Sequence, residues 1–158
     1  MKKGIIAAIS SVVGVSLGAC AVRKSMGDEL CKYKGYAEKH MSLYLMMNQW
    51  VKIKQDNKSV SKYLEEQGFK NVAIYGMSYA GETLFNELKG TKINVEYGID
   101  RNPGTIYMDL NVVSPDDDLQ DVDAVIVTAI TYFDEIEEML SEKMNCPIFS
   151  LEDILYEL

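Results

Sequence analysis

Residues 70–103 read KNVAIYGMSYAGETLFNELKGTKINVEYGIDRNP, and the fold follows from them. The apolar run Val72–Tyr75 meets a glycine turn, Gly76-Met77-Ser78-Tyr79-Ala80-Gly81. Ala80, Leu84, Phe85 and Leu88 then recur at helical spacing until Gly90. Ile93, Val95, Tyr97 and Ile99 alternate with polar residues, as a half-buried strand does, and Asp100 ends the run. Strand, tight turn, helix, strand and acid is the order of a mononucleotide-binding βαβ unit. A glycine at the end of the first strand lets the chain turn so that the helix aims free N–H groups and its positive dipole end at a phosphate. A carboxylate ending the second strand, roughly 20 residues on, can accept hydrogen bonds from ribose hydroxyls.

The usual spacing is G-x-G-x-x-G, and here it reads Gly76-x-Ser78-x-x-Gly81. The middle glycine normally lets backbone approach a pyrophosphate. Ser78 either crowds a dinucleotide, offers its hydroxyl to a phosphate, or merely caps the helix.

Beyond Asp100, Arg101–Asn111 is rich in turn formers, and Val112-Val113 is a short strand. Ser114-Pro115-Asp116 has the form of a helix start, with Pro at the first helical position. Asp116-Asp117-Asp118 reads as the solvated first turn of that helix rather than a metal site. Asp123–Ile130 is apolar enough for a strand buried on both faces. Thr131-x-x-Asp134 predicts a cap for a helix with Phe133, Ile136 and Leu140 on its inner face. Cys146–Phe149 is a fifth strand, and Ser150-x-x-Asp153 predicts the cap of the last helix. This alternation predicts an α/β fold, a Rossmann-like parallel sheet of about five strands with helices on both faces. Ligands of such sheets bind outside the carboxyl ends of the strands. The candidate nucleotide-binding residues are therefore Gly76, Ser78, Gly81, Asp100, Arg101 and Thr128, with Ser114 and Thr131 on the same edge.

The front of the chain differs in character. Gly4–Val22 has no charged residue and lies between Lys2-Lys3 and Arg23-Lys24. About 20 apolar residues span a bilayer. An uncleaved anchor, a cleaved signal peptide and a lipoprotein signal ending at Cys20 all fit its composition. The basic residues after it outnumber those before it, which favours an anchor with the remainder facing the cytoplasm. The division expected is a membrane anchor over 1–24, a helical extension over 25–69 and a nucleotide-binding domain over 70–158. In the extension, Leu43, Met46, Met47, Trp50 and Ile53 share one helical face, which packs on the domain or on a dimer mate. Ser59 starts and Gly68 stops a second helix. Gly14 and Gly18, four residues apart in the anchor, are a second ground for a homodimer.

Charge narrows the function. The net charge is −8, but residues 1–70 carry 12 basic and 6 acidic side chains and residues 71–158 carry 4 and 18. So acidic a domain would repel a nucleic acid backbone, whereas the basic front suits anionic lipid. Three scattered cysteines and one histidine, His40, give no disulfide framework, zinc site or triad.

GMSYAGE, YGIDRNP, VDAVIVTAIT and the closing PIFSLEDIL resemble the nucleotide-binding Rossmann domain at the front of membrane-bound bacterial polysaccharide-biosynthesis dehydratases and sugar transferases. They are also similar to the N-terminal domain of some sugar acetyltransferases. With the anchor and LMMNQWVKIKQ, the chain resembles small membrane-anchored proteins of Firmicutes. The resemblance covers roughly residues 43–158 and implies an NAD-like or nucleotide-sugar ligand lined by Gly76, Ser78, Gly81 and Asp100. It also implies a role beside envelope-polysaccharide synthesis. No Tyr-x-x-x-Lys follows the fourth strand, and no substrate domain is expected. A binding module is thus the first reading. A small enzyme completed across a dimer and an adaptor with an empty cleft are the alternatives.

Overall fold

A computed structural model describes the backbone of residues 2–106 and 108–158 and the side chains of residues 26–106 and 108–158. The membrane anchor expected over residues 1–24 lies outside the described side chains. Among the described residues no helix is long and apolar enough to cross a membrane.

The chain divides into two units, residues 1–41 and 42–158. The first consists of the leading part of helix α1 (Lys2–Gln55), and every described side chain in it, from Met26 to Met41, is exposed.

The second unit holds the α/β fold. Its elements after α1 are α2 (Val60–Glu66), β1 (Asn71–Tyr75), α3 (Tyr79–Leu88), β2 (Asn94–Ile99), β3 (Val112–Val113), β4 (Ala124–Val127), α4 (Phe133–Ser141), β5 (Ile148–Ser150) and α5 (Leu151–Glu157). The five strands form one sheet in the order β3-β2-β1-β4-β5, with every pairing parallel. The order reverses between β1 and β4, which puts a topological switch point at the end of β1.

Parallel strands need crossovers, and the crossovers cover both faces. Alternation along the central strands feeds two cores. Val72, Ile74, Ala124 and Ile126 face one, with Leu84 and Leu88 of α3 and Ile154 and Leu155 of α5. Ala73, Tyr75, Val125 and Val127 face the other, with Ile136 and Leu140 of α4. Burying each such aliphatic side chain is worth about 1.5–3 kcal/mol, so the central strands dominate stability.

The last turns of α1 belong to the first core: Met46, Trp50 and Ile53 are buried there. A carboxylate fixes them. Glu87 of α3 accepts the Trp50 indole N–H at 2.6 Å and the backbone N–H of Val60 at 2.9 Å, and pairs with Lys54 at 2.5 Å. One side chain thereby joins α1, α2 and α3. α2 starts as its sequence predicts: the Ser59 hydroxyl accepts from Lys62 N, and Gly68 stops the helix with φ +86°.

Asp123 does comparable work at the amino end of the central strands. Its Oδ2 accepts the N–H groups of Lys70 and Asn71, both at 2.8 Å, while its own N–H donates to the Asn71 carbonyl. These donors hold the Asp123 carboxyl below its usual range.

Three local expectations are corrected. No helix follows β3. Ser114 N instead donates to Asp117 Oδ2 and Ser114 Oγ accepts from Asp116 N, which closes a single turn. Between there and Asp123, Leu119 and Val122 are the apolar side chains available, too few for a helical face. Nor is Thr131 a cap. It lies inside a 3-10 turn, Ile130–Tyr132, and α4 starts after Tyr132 with no side-chain cap. Ser150 does occupy the position before α5, but its hydroxyl makes no capping bond.

Replacing Glu87 by Ala leaves the Trp50 and Val60 N–H groups without their acceptor, and should lower stability by about 2–4 kcal/mol in urea unfolding. The Asp123 clamp sets an acid limb. Its folded carboxyl titrates below the unfolded one, so its contribution is complete above the unfolded pKa of about 4 and is lost as pH falls through the lower, folded value. Asp123→Ala should flatten that limb of the stability–pH curve, measured against wild type.

Candidate functional site

The glycine turn sits at the switch point, where β1 ends between the ends of β2 and β4. Gly76 adopts φ +92°, a conformation that side chains disfavour, and this turns the chain off the strand. Its N–H donates to the Ile99 carbonyl at 2.8 Å, extending the β1–β2 ladder by one residue. On the other side, Thr128 N donates to the Tyr75 carbonyl, and the Thr128 hydroxyl donates to the Gly76 carbonyl. A Cβ on Gly76 would stand 2.9 Å from that hydroxyl oxygen.

Gly81 explains the last glycine of the pattern. It lies in the first turn of α3 directly over the Gly76 carbonyl, and a Cβ there would overlap that oxygen. The helix can therefore start this close to β1 because position 81 has no side chain.

Met77 turns inward and is 4 % exposed. It fills the space beside Gly98 of β2, where a Cβ would come within 2.8 Å of its Cγ and 2.9 Å of its Sδ. Sequence reasoning missed this plug. The available signal was Gly98, a glycine inside an otherwise regular strand between Tyr97 and Ile99.

Asp100 reaches back to the same turn. Its Oδ2 accepts the Met77 N–H at 2.9 Å, and its Oδ1 accepts the Asn102 N–H at 2.9 Å. The carboxylate thus pins the glycine turn to the turn after β2. With about four acceptor positions on a carboxylate, roughly two remain for another donor.

Ser78 precedes α3, is exposed, and makes no side-chain cap bond. It therefore does not cap in the sense its sequence position allows. The first-turn amides of a helix have no intrahelical acceptor, so the N–H groups of Ser78, Tyr79 and Ala80 have no partner within α3. Tyr79, the first residue of α3, is 80 % exposed. Arg101 is exposed just past Asp100.

The structure thus brings Gly76, Gly81, Asp100 and Thr128 into one close-packed knot, with Ser78 on its rim and Arg101 beside it. Thr128 is 5 % exposed and its hydroxyl is committed to backbone carbonyls, so it clamps the turn instead of facing outward. Chemically the arrangement offers amide donors and a hydroxyl to an anion, with a carboxylate acceptor one turn away. Among the described residues no group of three His, Cys, Asp or Glu side chains is placed to hold a metal. Comparison of the chain with protein-family models, with curated proteins and with solved structures found no match.

Gly81→Ala should therefore lower stability by about 1–3 kcal/mol, the range for a forced overlap. Gly104→Ala, where a Cβ meets open space, should change it by less than about 0.5 kcal/mol. Paired urea titrations of the two variants check the difference.

Proposed function

We propose that the α/β unit binds a nucleotide, NAD-like or a nucleotide-sugar, at the carboxyl edge of its sheet. A phosphate sits on the Ser78–Ala80 amides and the Ser78 hydroxyl, and Asp100 accepts from a sugar hydroxyl. The observation that carries this reading is the convergence of an open helix start and the β2 carboxylate, joined at 2.9 Å through Met77 N. The role is that of a membrane-anchored, cytoplasm-facing module, accessory or regulatory to envelope-polysaccharide synthesis. Support for that wider role comes from the sequence resemblance and from the charge flanking residues 4–22. Binding without turnover suits the residues at hand, because the polar groups of the knot are engaged in holding backbone.

A second reading is favoured by one feature of the same geometry. Both Asp100 oxygens already accept backbone amides, so the turn is stable without a ligand, as an adaptor with an unused cleft requires.

Ligand titration separates the two. The full chain in mild detergent is melted with NAD, NADP, UDP-sugars and CoA in turn. A ligand at 100 times its dissociation constant stabilises the native state by about 2.7 kcal/mol. Ser78→Gly, which restores the usual glycine, should strengthen a dinucleotide response, and Ser78→Glu should abolish any response by placing a negative charge on the amides. Unchanged melting with all four ligands would leave the adaptor.

A further inference from the structure

Helix α1 carries a second pattern, distinct from the face that packs on the sheet. Met26, Leu30, Tyr33, Ala37, His40, Tyr44, Met47 and Val51 follow one another at alternating steps of four and three. This is a heptad repeat with Leu30, Ala37, Tyr44 and Val51 at a, and Met26, Tyr33, His40 and Met47 at d. His40 is its one strongly polar member.

The packed face lies elsewhere on the helix. Met46, Trp50 and Ile53 fall at positions c and g and are buried, whereas the seam is exposed except at Met47, which packs partly against the same core. Leu30 is 71 % exposed, Tyr33 68 % and Val51 54 %. Within the α/β unit, Met47 and Val51 border an apolar groove of about 700 Å³, closed on its far side by Thr83 and Asn86 of α3.

Within the first unit, residues 26–41 have no buried side chain at all, and Gly27 and Gly35 lie inside the helix. Each helical glycine costs about 1 kcal/mol relative to alanine, and most helical stability comes from the packing of an apolar face. Such a segment needs a partner along its apolar seam. An anionic membrane surface is a poor one, because residues 26–41 carry three acidic and three basic side chains and no excess positive charge.

We infer that the partner is a second copy of this chain, paired in parallel through the α1 heptad seam. The charges beside the seam fit this orientation. Glu29 occupies a g position and Lys34 the e position five residues later, so each Glu29 faces the Lys34 of the other copy in a parallel, in-register pair. Tyr36 and Met41, the next g and e residues, add an apolar contact on the same rule. An antiparallel pair sets g against g and e against e and loses the Glu29–Lys34 attraction. Within the α/β unit, Met47 and Val51 continue the seam beside the groove.

Cysteine placed singly on α1 of the full chain, in a background with Cys20, Cys31 and Cys146 changed to Ser, tests orientation and register. Leu30→Cys and Tyr33→Cys should each cross-link a dimer under mild oxidation, and Lys32→Cys, at c, should not. In otherwise wild-type chain, sedimentation in detergent should give a dimer that Leu30→Glu with Tyr33→Glu abolishes. Glu29→Lys should weaken it by about two- to fivefold, and adding Lys34→Glu should restore it. Both sedimentation tests leave the buried face of α1 untouched. A monomeric wild-type chain, a dimer that survives Leu30→Glu with Tyr33→Glu, or cross-linking strongest at position 32 would overturn the inference. So would a monomer whose residues 26–51 are instead protected by vesicles of anionic lipid.

Discussion

The fold of this domain turns on how closely α3 can pass over the end of β1. The helix begins directly above the Gly76 carbonyl, and the approach is possible because residue 81 contributes a hydrogen where other residues place a carbon. Everything at the carboxyl edge follows from that proximity. Met77 drops into the space beside Gly98, Asp100 comes within reach of the Met77 amide, and Thr128 secures the carbonyl from the β4 side. A side chain at position 81 would push the helix outward and loosen all three at once.

Carboxylates do the complementary work of fixing backbone between elements distant in sequence. Asp123 gathers two amides where β1 begins, Asp100 gathers two at the turns beyond β1 and β2, and Glu87 joins three helices. Each satisfies donors that the ladders and helices leave over, and hydrogen bonds to a charged acceptor are stronger than neutral ones. The strong negative charge of residues 71–158 therefore has a partly structural origin: several acids stand where a backbone N–H needs an acceptor.

Much of the architecture is legible in local pattern. Periodicity locates β1, α3, β2 and β4, and Gly68, Gly76 and Gly90 all adopt the positive φ angles that end an element. What stays hidden is non-local. Asp100 is legible as an acid at a strand end, but its bond to Met77 depends on strand register across 23 positions. Thr128 reads equally well as ligand contact or clamp, and its burial under Gly76 decides the matter only once β4 is set beside β1. Ser114 and Thr131 mislead for a related reason. Each has the local form of a helix cap, yet the segment after Ser114 lacks an apolar face and the chain after β4 first makes a 3-10 turn. The heptad seam was in the sequence throughout, overlapped by the buried face of the same helix; exposure separates the two.

On the nucleotide reading, the position of Asp100 restricts what can bind. An anion on the Ser78–Ala80 amides lies close to a carboxylate whose two oxygens already point into the turn. Distant acids matter little, since charges more than about 8 Å away are largely screened at physiological ionic strength. Asp100 is not distant, and it opposes a bare phosphate. A ligand that carries hydroxyl donors beside its phosphate meets the carboxylate with a hydrogen bond and converts that repulsion into recognition. The same pair of groups that weakens affinity for inorganic phosphate therefore favours a sugar-bearing one, and Ser78, standing where a glycine is usual, narrows the choice further toward ligands whose phosphate can accept from its hydroxyl.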